Sequence, residues 1–149
     1  MGLMSRNKGK RFERDVAAQF RARFDVLVRR ASQAERADNP DVFFEAGPVK
    51  LTRLWLELQD AREPTPAKKL DQAERDVLAW QDARTGHNGY VPRWPVVIWH
   101  RLGERHSYAT MRINTLLDIA QPVPDAQSEL DQVVSMELGA FMRLLEAAA

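Results

Sequence analysis

Apolar residues recur every four positions at Phe12, Val16, Phe20 and Phe24, the spacing of one helical face, and predict a helix over about residues 7–24. The pattern then changes. Asp25-Val26-Leu27-Val28, followed by Arg29-Arg30, reads as a first strand, and a polar loop from Ala31 to Asn39 leads to Pro40 and a second strand, Asp41 to Glu45. Gly47-Pro48 marks a turn, and Leu54 to Gln59 gives a third strand. Thr65-Pro66 suits a helix start, Thr as N-cap and Pro in the first turn; that helix runs to about Ala83 with Leu70, Ala73, Val77 and Trp80 inward. Gly86 to Arg93 is a loop, Pro95 to His100 a fourth strand, Gly103-Glu104 a turn and His106 to Met111 a fifth strand. A short helix (Asn114 to Ile119), a linker with Pro122 and Pro124, and an amphipathic helix over about 126–148 (Leu130, Val133, Val134, Leu138, Phe141, Leu145) complete the chain. The order is helix, three strands, helix, two strands, helix and an added C-terminal helix, which predicts an α/β fold: a mixed β-sheet flanked by helices. We expect a core domain over 1–120 and an appendage over 121–149 that packs on the core or dimerises.

The length of 149 residues fits one domain, and four Trp and six Phe supply a core. Without cysteine, disulfides, zinc–thiolate sites and thiol nucleophiles are excluded. No long uncharged apolar stretch or secretory signal is read, so we expect a soluble, cytoplasmic protein with no membrane partner. The net charge of +1 hides a segregation. Residues 1–36 carry ten basic side chains against four acidic ones, whereas residues 118–149 carry Arg143 against six acids. One region suits a polyanion and another repels it.

The chemistry sits in the second and third strands. Glu57 and Gln59 share a strand face, roughly 6.5 Å apart, inside the apolar run Leu54-Trp55-Leu56-Glu57-Leu58. A carboxylate buried there is costly without a cation or a partner. Asp41 opens the neighbouring strand, and Glu13 flanks the apolar stripe of the first helix. Hard divalent ions need only one or two protein carboxylates to neutralise a phosphodiester and acidify a water, so this set is a candidate metal site for Asp41 and Glu57, with Glu13 assisting. The competing readings are an edge carboxylate in solvent for Glu57, a turn residue for Asp41 and a surface helix residue for Glu13. Lys8, Lys10, Arg11 and Arg14, with Arg29 and Arg30 beyond, suit phosphate contacts; singly, each also reads as a solvated side chain. His87, His100 and His106 lack metal-ligand spacing, and Trp55, Trp80, Trp94 and Trp99 read as core or interface.

Asn7-Lys8-Gly9-Lys10-Arg11-Phe12-Glu13-Arg14-Asp15-Val16-Ala17 resembles the opening helix of the archaeal and phage Holliday-junction resolvases. Pro40-Asp41 and Glu57-Leu58-Gln59 resemble the Pro-Asp…(Asp/Glu)-x-Lys signature of the wider restriction-endonuclease-like superfamily. Residues 69–76 and 95–101 resemble the helix and strand that follow, so the likeness spans about residues 6–119. It implies a restriction-endonuclease-like core and a Mg²⁺-dependent endodeoxyribonuclease in which Mn²⁺ substitutes. Its implied partner is DNA, including branched DNA, cut by a homodimer in a bacterial or phage-infected cell, with no small-molecule cofactor. It further implies catalytic roles for Glu13, Asp41, Glu57 and Gln59. The signature's lysine is replaced by Gln59, which brings no charge; Lys68 or Lys69 at the next helix start is the candidate substitute, against the alternative of a solvated helix end. Two other readings stay open: a catalytically silent copy of the fold, used for DNA binding or assembly, and a nuclease for linear or damaged DNA rather than four-way junctions.

Overall fold

The computed structural model describes residues 3–36, 39–47, 49–83, 93–120 and 132–148. The expected loop at 86–93 lies outside them save for Arg93; the linker with Pro122 and Pro124, Pro48, His87 and Leu130 lie outside them altogether. The elements are α1 (Leu3–Arg23), β1 (Leu27–Arg30), β2 (Val42–Ala46), α2 (Val49–Thr52), β3 (Leu54–Ala61), α3 (Pro66–Asp82), β4 (Trp94–Arg101), β5 (Ser107–Arg112), α4 (Ile113–Ala120), β6 (Val133–Glu137) and α5 (Leu138–Ala148).

Among the described residues six strands form one open sheet in sequential order, β1 to β6. Neighbours pair antiparallel except β3 and β4, which are parallel over their whole length, from Leu54↔Trp94 to Ala61↔Arg101. A parallel pair needs a crossover, and α3 supplies it across one face. The fold is therefore α/β with a mixed sheet flanked by helices. Alternation in β3 sorts its side chains between two cores. Leu54, Leu56 and Leu58 join Phe12, Val16 and Phe20 of α1 and Leu138, Phe141, Met142 and Leu145 of α5 in the larger cluster. Trp55 packs with Ala73, Val77 and Trp80 of α3 on the opposite face, which is also the face of Glu57 and Gln59.

Two expectations need correction. The amphipathic helix foreseen over 126–148 is instead a strand, 133–137, followed by a helix, 138–148. The stripe Val133, Val134, Leu138, Phe141, Leu145 satisfies a helical period, but β5 would otherwise be a bare edge. Val133 to Glu137 pair along it, with Val134 opposite Met111 and Ser135 opposite Thr110. β-branched Val133-Val134 suits that role better than a helix start. The one-turn helix α2 was not foreseen either. It follows Gly47, whose φ of +147° favours glycine and whose added Cβ would meet Val26 Cγ1 at 2.6 Å. Among the described residues no helix is long and apolar enough to cross a membrane.

Candidate active site

Strand β2 begins at Val42, opposite Leu56 of β3, so Asp41 arrives beside Glu57. Asp41 extends the ladder with its side chain: Oδ2 accepts the Leu58 backbone N–H at 2.9 Å, while the Asp41 carbonyl accepts the Ala31 N–H at 2.8 Å. Both ends of the residue are thus tied down where the two strands part.

Glu57 is buried, at 9% exposure. Trp55, two residues earlier on the same face, donates its indole N–H to Glu57 Oε1 at 3.1 Å. Lys69 Nζ lies 3.5 Å from Oε2. These two partners do not offset the surroundings. Burial first, then the negative charge of Asp41 and a hydrogen bond with it, push the Glu57 carboxyl up to about 8. Among the described residues Lys69 is the one cation in contact with Glu57 itself, and in this buried setting the carboxyl favours a proton or another cation.

Lys69 reaches the site because of its helical phase. It precedes Ala73 by four and Val77 by eight, the α3 residues that pack on Trp55. Lys68, one residue off that stripe, is exposed. Of the two candidate substitute lysines the fold brings one, Lys69, to Glu57.

Gln59 is engaged elsewhere. Its Oε1 accepts the Thr65 backbone N–H at 2.9 Å, and its Nε2 donates to Thr65 Oγ1 at 3.2 Å. Thr65 occupies the N-cap position of α3 without making a side-chain cap, so Gln59 anchors the helix start in its place. Gln59→Ala should therefore lower stability by about 1 kcal/mol, the scale of a lost cap, read as a reduced urea midpoint at unchanged slope.

Glu13 is 8% exposed and held by two arginines. Arg30 Nε donates to its Oε2 at 2.8 Å, and a terminal nitrogen of Arg36 donates to its Oε1 at 2.8 Å. The other terminal nitrogen of Arg36 reaches Asp41 Oδ1 at 3.2 Å. Arg36 thus bridges the helix carboxylate to the strand carboxylate, within the field of Glu57 as well. Among the described residues no three acidic or histidine side chains come together as a ready-made metal cage; what the fold assembles is the pair Asp41–Glu57, with Glu13 linked through Arg36.

The basic side chains divide. Arg29 is committed to Glu35 (2.6 Å) and Glu45 (2.6 Å) and lies over the Phe43 ring, and Arg30 is committed to Glu13. Lys8, Lys10, Arg11 and Arg14 are exposed on α1, and among the described residues only Arg11 has a loose partner, Asp15 at 3.9 Å. Trp55 and Trp94 are buried, Trp80 packs on Trp55, and Trp99 stacks on Tyr108 at 4.7 Å. His106 lies 3.7 Å from Glu137.

Arg36 was missed in the sequence because it lies in a loop with no periodicity to assign it a face. The Trp55–Glu57 bond was legible: residues two apart on a strand share a face, and a buried indole N–H seeks an acceptor. Comparison with protein-family models, with curated proteins and with solved structures returns no match.

Proposed function

We propose that the chain is a metal-dependent DNA endonuclease with a restriction-endonuclease-like core, similar in activity to the Holliday-junction resolvases and acting as a homodimer. The observation that carries this reading is the conjunction at β3. A carboxylate entering β2 meets a buried carboxylate on β3, and the crossover helix that follows returns a lysine to it. Apart from the one-turn α2, the element order α1-β1-β2-β3-α3-β4 is the one expected for that core.

The residues suit a divalent cation. Asp41 and Glu57 are hard oxygen donors whose mutual repulsion and burial leave Glu57 short of positive charge. These two would hold Mg²⁺, or Mn²⁺ in its place, with Glu13 at the periphery. Bound there, such an ion supplies neutralisation of the phosphate and acidification of a water. The chain's own part is positional: the Leu58 N–H and the β2–β3 register fix Asp41, Trp55 orients Glu57, and Lys69 brings a positive charge to where negative charge develops on phosphorus oxygens. Gln59 takes no direct part beyond seating α3, and hence Lys69. Exposed Lys8, Lys10, Arg11 and Arg14 supply sequence-independent phosphate contacts.

The second reading, a silent copy of the fold that binds DNA or assembles, is favoured by Arg36, which ties Asp41 to Glu13 and so already spends carboxylate charge inside the site. Cleavage of a labelled four-way junction and a matched duplex, in Mg²⁺ or Mn²⁺, by wild type and Asp41→Asn separates the readings. We expect paired symmetric nicks on the junction, lost in the variant. Cutting of both substrates keeps the nuclease and discards the preference for branched DNA. Salt-sensitive binding without cutting in either metal establishes the silent copy.

A further inference from the structure

A cleft of about 390 Å³ lies on the flank of α1 away from Glu13. Lys8, Arg11, Phe12, Asp15 and Gln19 line one wall, a single helical stripe at spacings of three and four. The other wall is the end of β3 and β4 and the turn after them, with Asp60, His100, Arg105 and Ser107. Lys10 and Arg14 belong to a different side of α1 and do not reach the cleft.

At its base, His100 Nδ1 is 3.0 Å from Asp60 Oδ1, and Nε2 is 2.7 Å from the Glu104 carbonyl oxygen. Both neighbours offer acceptor oxygens to the ring nitrogens, and the Asp60 bond first, then the Glu104 carbonyl, raises the affinity of the imidazole for a proton. Asp60 is thereby engaged by His100 rather than turned to the cleft's cations. Phe12 packs against the imidazole at 6.0 Å between centroids. Above this floor stand Lys8, Arg11 and Arg105. Lys8 and Arg105 have no ion-pair or hydrogen-bond partner among the described residues, and the Arg11–Asp15 pair is long and solvent-screened. Cations from two separate elements converge on one concavity with a single loosely held acid, Asp15, among them. The hydroxyl of Ser107 and the amide of Gln19 add neutral donors, and the volume lies in the range of small-ligand sites.

We propose that this cleft is a second binding site, distinct from the carboxylate site, for a nucleotide-sized phosphate ester gripped by Lys8, Arg11 and Arg105. Its source is either one nucleotide of a DNA strand or a free nucleotide. The proposal rests on the nuclease reading only for the first of these.

Binding is tested in EDTA, so that loss of metal chemistry and loss of this site are read separately. The anisotropy of a labelled single-stranded oligothymidylate reports affinity for wild type, the double variant Lys8→Ala/Arg105→Ala, the single variants of each, and Arg143→Ala on α5 as a control matched in charge to each single variant. Both cleft side chains are exposed, and their truncation leaves the core intact. The double variant is expected to bind about tenfold more weakly and to lose about 1.4 units of salt slope, about 0.7 per phosphate-contacting cation on a single strand; Arg143→Ala should match wild type. Backbone amide shifts at 102–107 are then followed with the oligonucleotide, AMP and inorganic phosphate. Movement with AMP or phosphate assigns a free-ester site, and movement with the oligonucleotide alone assigns the strand. Amides at 102–107 that move with none of the three probes would overturn the proposal, and unchanged oligonucleotide affinity and slope in the double variant would overturn the DNA strand as its source. A protein that binds here but never cuts DNA refutes the nuclease reading and leaves the cleft standing.

Discussion

Glu57→Gln should make the protein more stable above pH 8 while abolishing the cleavage activity proposed for it. In the folded state the carboxyl is pushed up to about 8, by burial before all else and then by Asp41, whereas in the unfolded chain it ionises near its ordinary value of roughly 4.3. Between those two values the folded state holds a proton that the unfolded state has released. Stability from this group is therefore complete below the unfolded pKa and is lost as pH rises toward 8, at no more than about 1.4 kcal/mol per pH unit. Glutamine keeps the shape, still offers the Trp55 indole an oxygen, and has nothing to titrate. Wild type and variant should have similar urea midpoints near pH 5 and diverge above it, with the variant ahead by on the order of a few kcal/mol at pH 8.5. A divalent cation bound to Asp41 and Glu57 takes the proton's place, so Mg²⁺ or Mn²⁺ should raise the wild-type Tm at pH 8.5 far more than at pH 5.5. The same ions should leave the Tm of Glu57→Gln unmoved. Parallel pH profiles for the two proteins would show that Glu57 is not the strained carboxyl the geometry describes, and an equal metal response would place the ion elsewhere.

That carboxyl could be found in the sequence because strands have a simple period. An acid in Leu54-Trp55-Leu56-Glu57-Leu58 has apolar neighbours on both faces, so whichever face it takes is buried. Asp41 was legible for a related reason: Pro40 before it and the Val42-Phe43-Phe44 run after it fix a strand start. Strand pairing then fixed the pair, which local pattern alone does not determine. The 133–148 segment went the other way. Its apolar positions satisfy the helical period all along, and only the demand of β5 for a partner, a contact between segments more than twenty residues apart, turns Val133 to Glu137 into a strand. Arg36 and Gln59 had no local signal. Arg36 acts through two carboxylates, 23 residues before it and five after it, and the destination of the Gln59 amide depends on how the chain turns between Ala61 and Thr65. Arg29 and Arg30 were assigned to phosphate because a basic pair at a strand end looks solvated. Glu13, Glu35 and Glu45, which engage them, come from three different segments.

Lys69→Met should lower the cleavage rate by about 10²–10³-fold, the loss typical of removing one donor aimed at developing negative charge, while Lys68→Met leaves it within a few-fold of wild type. The two lysines are adjacent in sequence and differ in helical phase: Lys69 lies on the Ala73–Val77 stripe and reaches Glu57 at 3.5 Å, and Lys68 is exposed. Methionine preserves the aliphatic stem and the helix propensity, so the comparison isolates the ammonium. A second readout distinguishes a charge acting in the site from a side chain that merely packs there. Lys69 holds the Glu57 carboxyl down against burial and Asp41, so its removal should move the acid limb of the pH–rate profile to higher pH. A packing defect would lower the rate at every pH alike. Gln59→Ala completes the comparison. If the motif position has surrendered its charge to the helix, this variant loses stability through Thr65 but keeps the wild-type pH profile. The reverse result, a shifted profile in Gln59→Ala and an unshifted one in Lys69→Met, would return the catalytic position to the strand and reduce Lys69 to a counter-ion of the folded state.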